Sequence, residues 1–151
     1  MYMPKPKQPV IAVGTVTFHE ERVLLVERKQ PPNQGQWAIP GGKVRLGESL
    51  YAAAEREIHE ETGITVKALR PIHTFELIEK DAHGEVLYHY VIIDLLAEYV
   101  SGQPNPADDA SAAAWVDRKR LSTLSVNQET RNLLRQQFNF SGDIEATQAS
   151  D

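Results

Sequence analysis

The 151-residue sequence contains no cysteine. That absence excludes a disulfide framework, a thiolate nucleophile and any cysteine-ligated zinc, and it fits a reducing compartment. Long apolar runs are missing too. No stretch reaches the roughly 20 residues of a membrane span, and the N-terminal MYMPKPKQP lacks the apolar core of a secretory leader. A cytosolic protein with no membrane partner is expected. Basic residues are in the minority, 16 Lys and Arg against 21 Asp and Glu, which leaves a net charge of -5. A general nucleic-acid surface needs a basic patch, so no nucleic-acid partner is expected. What remains, 41% hydrophobic and 25% charged residues without repeats, is the composition of one globular domain with one core.

The order of segments is legible from pattern. VIAVGTVTF (10–18) and VLLVE (23–27) are apolar, β-branched runs separated by HEER, and read as a β-hairpin. Residues 30–42, with Pro31, Pro32, Asn33, Gly35, Pro40, Gly41 and Gly42, read as a structured loop interrupted by Trp37 and Ile39. A helix is expected from about Ser49 to Thr62, with Gly63 in the left-handed position that ends it. Strands at 71–80 and 86–98, joined by DAHGE, make a second hairpin. Residues 101–110 return to loop, 113–116 offer a short strand, and Ser125 with Gln128 has capping-box spacing ahead of a helix carrying Leu133, Leu134 and Phe138. Residues 1–140 are read as one domain and the polar 141–151 as a disordered tail. Strands, helix, strands, helix point to the α/β class, a mixed sheet with helices on its faces.

The chemistry sits at 42–64, GKVRLGESLYAAAEREIHEETGI. At 3.6 residues per turn, with Glu57 at zero, Glu61 lies near +40° and Glu60 near -60°, so three carboxylates share one helix face. Ile58 and Tyr51, near +100° and +120°, place the apolar edge directly beside the acids. Like charges at i and i+4 oppose one another, and acids in a last turn oppose the helix dipole. Such a concentrated violation of local preference is the mark of a functional site, and clustered carboxylates suit a hard divalent cation. Arg56, on the flank, is placed to fix a neighbouring carboxylate. Pro40-Gly41-Gly42 allows close backbone approach, with a carbonyl available to a metal. Glu55 and His59 point to the far side as ordinary solvated residues. Trp37 is expected to pack under the sheet, Tyr88 and Tyr90 share a strand face, and His73 and His89 have no metal-ligand spacing.

Gly42, five residues, Glu48, seven residues, then Arg56-Glu57-Ile58-His59-Glu60-Glu61-Thr62-Gly63-Ile64 resembles the complete box of the Nudix hydrolases. The similarity extends through LLVER, QWAIPGG, YHYVIID and DDASAAAWV, roughly residues 10–135. The resemblance implies an α/β/α sandwich that hydrolyses a diphosphate linkage in a nucleoside diphosphate derivative, with Mg2+ or Mn2+ as cofactor, and a homodimer as the assembly common among relatives. It implies that Glu57 and Glu61 are the principal metal ligands, that Glu60 binds a further ion or positions water, that Arg56 orients Glu57, and that Glu48 supports the shell from the helix start, beside the Gly41 backbone that the loop already offers. In many members the general base lies on a later loop. Asp108 or Asp109 is the candidate here, with Glu98 behind them; turn chemistry is the competing reading of the two aspartates. Arg28, Gly41 and Gly42 are the candidate substrate contacts.

For substrate, the resemblance implies ADP-ribose or a similar nucleotide sugar. The proline that many ADP-ribose enzymes carry 15 or 16 residues past the box is replaced by Glu79 and Lys80, so a MutT-like nucleoside triphosphate pyrophosphohydrolase stands as the alternative. No tyrosine stands near 80–82, where dinucleoside polyphosphate enzymes carry one. A non-hydrolysing nucleotide-binding module ranks far behind the enzyme, because every acid of the box is present, and a purely structural protein ranks below that.

Overall fold

The computed structural model describes residues 6–30, 33–105 and 110–142. The chain runs β1 (Val10–His19), β2 (Arg22–Arg28), β3 (Trp37–Ala38), β4 (Gly41–Lys43), α1 (Leu50–Thr62), β5 (Thr65–Lys80), β6 (Val86–Ser101), β7 (Ala110–Val116), α2 (Arg118–Leu121) and α3 (Gln128–Phe138). Among the described residues the strands form one mixed sheet in the order β3-β2-β1-β6-β5, with β4 added to β1 and β7 to β2. β1 lies parallel to β6 over nine register pairs, from Val10↔Tyr90 to Phe18↔Glu98. The other pairings are antiparallel.

Alternation along the strands divides the core between two helical layers. On one face Val13, Leu95 and Ala68 pack with Ala53 and Ala54 of α1, and Leu24, Val66 and Ala97 pack with Ile58. On the other, Val16, Val23, Leu25 and Val116 meet Leu133 and Leu134 of α3 and Leu121 of α2. Trp37 packs on this second cluster, as expected of it. The result is the α/β/α sandwich that the segment order and the box imply.

One departure from regular pairing shapes the molecule. β1 meets β2 only at Phe18↔Val23 and His19↔Arg22, beside the hairpin turn. Farther along, Ala12, Val13 and Gly14 pair with Lys43, Gly42 and Gly41 of β4 instead. The two strands therefore splay, and a cavity of about 820 Å³ lies at the splay, lined by residues of β1, β2, β4, β5, β6, α1 and α3. That volume falls in the range of small-molecule sites, ~300–1,000 Å³.

The elements differ from the sequence reading in several places. β5 begins at Thr65, not at Pro71, because β5 is an edge strand whose register shifts on either side of Pro71, which lets the chain carry a residue without an N–H. α3 is capped by Asn127, whose Oδ1 accepts from Thr130 N at 3.1 Å, and not by Ser125. The reason is a bridge to β3: Trp37 N donates to Ser125 O and Asn127 N to Trp37 O, both at 2.8 Å, which holds Ser125 outside the helix. Glu55 is not a solvated far-side residue, since its Oε2 accepts from Ala68 N of β5 at 2.9 Å. Ser141 and Gly142, at the start of the expected tail, are buried; residues 143–151 lie outside the described residues.

Candidate active site

α1 ends are built locally. Ser49 Oγ accepts from Ala52 N at 3.0 Å, and Gly63, at φ 78°, returns its N–H to His59 O at 2.9 Å. Both caps fix the helix register, and with it the arc that carries Glu57, Glu60 and Glu61. All three glutamates line the cavity, together with Gly41, Gly42 and Lys43 of β4.

Arg56 ties the acids together. Its Nε donates to Glu48 Oε2 at 2.7 Å and one terminal nitrogen to Glu48 Oε1 at 2.8 Å, while the other reaches Glu57 Oε1 at 2.6 Å and Glu60 Oε2 at 3.3 Å. The first terminal nitrogen also donates to Lys43 O at 3.0 Å, so the helix is latched to β4. Glu48 accepts in addition from Arg45 N at 3.0 Å, and these bonds, the Arg56 guanidinium first among them, hold its carboxyl down at about 2. Glu57 is pushed up from the usual carboxylate value by burial, against the lowering pull of Arg56. The Arg56 guanidinium is itself raised, chiefly by its bonds to Glu48.

β4 supplies the opposite wall. Gly41 N donates to Glu61 Oε1 at 2.8 Å. A side chain at Gly42 would place its Cβ on the carboxylate of Glu57. The two glycines thus let the β4 backbone lie directly against the two acids that the box resemblance marks as principal ligands. Pro40 O is already taken, accepting from Thr15 N at 2.9 Å.

The donor set fits a hard divalent cation: three carboxylates on a cavity wall, two of them against glycine backbone, with no His, Cys or Met among the described lining residues. Among the described residues no group of three or more His, Asp or Glu side chains converges closely enough to hold a metal ion by itself. A cation would be held here by one or two of these carboxylates together with water and a ligand's phosphate oxygens, and would supply positive charge to them.

Of the other residues singled out in the sequence, Arg28 lines the cavity from β2 and Tyr90 from β6. Glu98 is exposed and lies outside the cavity lining, so it is not placed to serve as the base. Asp108 and Asp109 lie outside the described residues. One residue escaped the sequence reading altogether. Asp94, only 2% exposed, lies in the wall of the same cavity, and burial pushes its carboxyl up to about 7. The signal was available: a single acid inside the apolar run VIIDLLA of a central strand.

The NUDIX domain family model matches residues 8–137. The chain is 32% identical over 121 residues to an ADP-ribose pyrophosphatase of Methanocaldococcus jannaschii, covering 80% of this chain and 69% of that protein. It is 35% identical over 104 residues to the nucleoside triphosphatase NudI of an Enterobacter species, covering 64% of this chain and 72% of that protein. A crystal structure of a MutT NUDIX hydrolase from Burkholderia pseudomallei matches with a TM-score of 0.68 at 33% identity, covering 87% of this chain and 99% of that one.

Proposed function

The chain belongs to the NUDIX domain family, the Nudix hydrolases, and from that premise we propose that it hydrolyses the diphosphate linkage of a nucleoside diphosphate derivative, ADP-ribose or a similar nucleotide sugar, with Mg2+ or Mn2+ as cofactor. The observation that carries this reading is the Arg56 hub, which is anchored by Glu48 and orients Glu57 and Glu60 along one wall of a cavity large enough for a nucleotide. Glu57 and Glu61 would hold the cation, with Glu60 and the Gly41 backbone beside them. When bound, the cation neutralises charge on the diphosphate oxygens and acidifies water for attack at phosphorus. The protein's own part is positional. Arg56 holds Glu57 and Glu60, the Gly41 N–H holds Glu61, and Arg28 stands at the β2 edge of the cavity for a phosphate. Asp108 or Asp109 is the proposed general base. The protein is proposed to work in the cytosol, as a homodimer; no helix among the described residues is long and apolar enough to cross a membrane.

A second reading has specific support. The identity to NudI and the replacement of the expected proline by Glu79 and Lys80 favour a nucleoside triphosphate pyrophosphohydrolase of the MutT type. Products decide between the two. With Mg2+ and a panel of ADP-ribose, NADH, nucleoside diphosphate sugars and normal and oxidised nucleoside triphosphates, the expected result is AMP and ribose 5-phosphate from ADP-ribose. Pyrophosphate and a nucleoside monophosphate from one triphosphate would install the second reading. Binding without cleavage of any substrate would overturn both.

A further inference from the structure

Another wall of the cavity is built by β5 and β6. β5 and β6 are paired there so that Leu77 lies opposite Tyr90, Phe75 opposite Ile92 and His73 opposite Asp94. Directly paired residues of an antiparallel ladder share one face, so this wall is a run of apolar and aromatic side chains that ends in a carboxyl. Phe75, Leu77, Tyr90, Ile92 and Asp94 all border the cavity.

Asp94 is 2% exposed, and among the described residues burial and the charges of His73 and Glu129, not a hydrogen bond, act on its carboxyl. A buried carboxyl without a hydrogen bond is costly, and in a ligand cavity the natural hydrogen-bond partner is the ligand. The neighbouring strand leaves room for it. Gly14 of β1 stands in register with Asp94, and a Cβ there would collide with Asp94 Oδ1 and approach Ile39 Cδ1 to 2.9 Å.

We propose that Asp94 reads the hydrogen-bonding edge of the substrate's nucleobase, which lies over Phe75, Leu77, Tyr90 and Ile92, and that it selects adenine. The proposal rests on the reading of the cavity as a nucleotide site and adds the base to it. A flat heteroaromatic ring suits an apolar, aromatic wall, and a base is identified through its polar edge while its faces are stacked. A neutral carboxyl offers one donor and one acceptor side by side. That pattern matches N1 and the N6 amino group of adenine. An ionised carboxylate offers two acceptors, which match the N1–H and N2 amino group of guanine.

Burial favours the neutral form, with His73 pulling the other way and Glu129 adding to the rise. These are the charged groups that face Asp94, His73 from β5 and Glu129 from α3, with His73 Nε2 3.8 Å from Glu129 Oε2; β1 contributes only Gly14 in register. Glu27 and Arg28 of β2, Lys43 of β4 and the α1 glutamates border the same cavity. Their titration affects an adenine and a guanine substrate alike, so a ratio between the two isolates Asp94.

The test is the ratio of kcat/KM for ADP-glucose to that for GDP-glucose between pH 5.5 and 8.5, in wild type, Asp94→Asn and Asp94→Ala, together with Kd for AMP and GMP in the presence of a metal chelator. In wild type the ratio should favour adenine below neutral pH and fall about tenfold by pH 8.5. Asn, which also offers a donor beside an acceptor, should keep the adenine preference and flatten its pH dependence, and Ala should lower discrimination tenfold or more, with the change falling on KM. Hydrolysis of both sugars with an unchanged base ratio in both variants would overturn the proposal. If neither sugar is cleaved, the nucleotide-sugar reading fails separately: an AMP-over-GMP preference lost in Asp94→Ala would still uphold base reading, and an unaltered preference would overturn it. Should Asp94→Ala fail to fold, the Asn profile alone decides.

Discussion

Arg56 grips Glu48 with two parallel bonds, Nε to Oε2 at 2.7 Å and a terminal nitrogen to Oε1 at 2.8 Å, across eight residues of sequence. Glu48 precedes α1 and Arg56 lies in its middle, so the pair anchors the guanidinium from one side while its remaining nitrogen aims at Glu57 and Glu60. The geometry of the acidic wall therefore depends on a residue that needs no contact with substrate. Arg56→Lys keeps the charge but loses the fork, and it should lower kcat by about 10²-fold, since a misplacement of an ångström is enough for such a loss. Steady-state kinetics with a thermal melt checks this. Wild-type kcat in the lysine variant would show that charge alone is required.

Glu57→Gln and Glu61→Gln should each lower turnover by orders of magnitude at saturating Mg2+ while leaving the fold intact. Gln at 61 still accepts the Gly41 N–H, and Gln at 57 still fills the space against Gly42, so packing is preserved and only charge is lost. A catalysed rate within threefold of wild type in both variants would sink the assignment of these residues to the cation. Circular dichroism melts separate the loss from unfolding.

The two adjacent glycines of β4 should fail differently. A Cβ at Gly41 would strike the backbone carbonyl of Val13 in β1, which cannot move without parting the strands, so Gly41→Ala should destabilise by several kcal/mol. A Cβ at Gly42 would strike the Glu57 carboxylate, a side chain that can swing away. Gly42→Ala should therefore fold and lose activity. Urea unfolding and turnover of the two proteins, measured side by side, decide it; equal loss of stability in both would show that Glu57 has no freedom to yield.

How much of this was legible depends on how local each feature is. The caps of α1 and the arc of its glutamates follow from residues within one helix, so Ser49, Gly63 and the acidic face stand where the spacing puts them. Trp37 capturing Ser125 and Asn127 is a contact across about ninety residues, and it overrides a sound capping box. The parallel pairing of β1 with β6 and the splay of β1 from β2 are equally non-local, yet together they make the cavity. For that reason Asp94, an acid in a strand that looked merely apolar, acquires a role only when β1, β5 and β6 are assembled around it.

Asp94 also makes stability depend on pH. Its folded value of about 7 lies above its ordinary 3.8, so between these limits the folded state holds a proton that the unfolded chain has released. Stability is thus greatest below the unfolded value and falls as pH rises toward 7, by at most about 4 kcal/mol. Asp94→Asn removes this titration. Relative to wild type it should gain stability at pH 8 and show little gain at pH 4, as read from urea unfolding at the two pH values. An equal offset at both would mean that the carboxyl titrates normally in the fold.

Thr15 and Thr17, alternate residues of β1, are fully buried, and neither hydroxyl has a hydrogen-bond partner among the described residues. They lie on the same strand face as Val13, which packs against α1, so a methyl group is compatible with their surroundings. Replacing a hydroxyl that meets no partner removes a desolvation cost of about 1–3 kcal/mol without changing the shape of the side chain. Thr17→Val should raise Tm by a few degrees, about 2–4 °C per kcal/mol for a chain of this size, and should leave turnover unchanged because Thr17 is not part of the cavity wall. Scanning calorimetry checks it directly. A fall in Tm would mean that the hydroxyl has a partner in solution, most simply a buried water bridging Thr15 and Thr17, and the double variant Thr15→Val with Thr17→Val would then lose less than the two single variants combined.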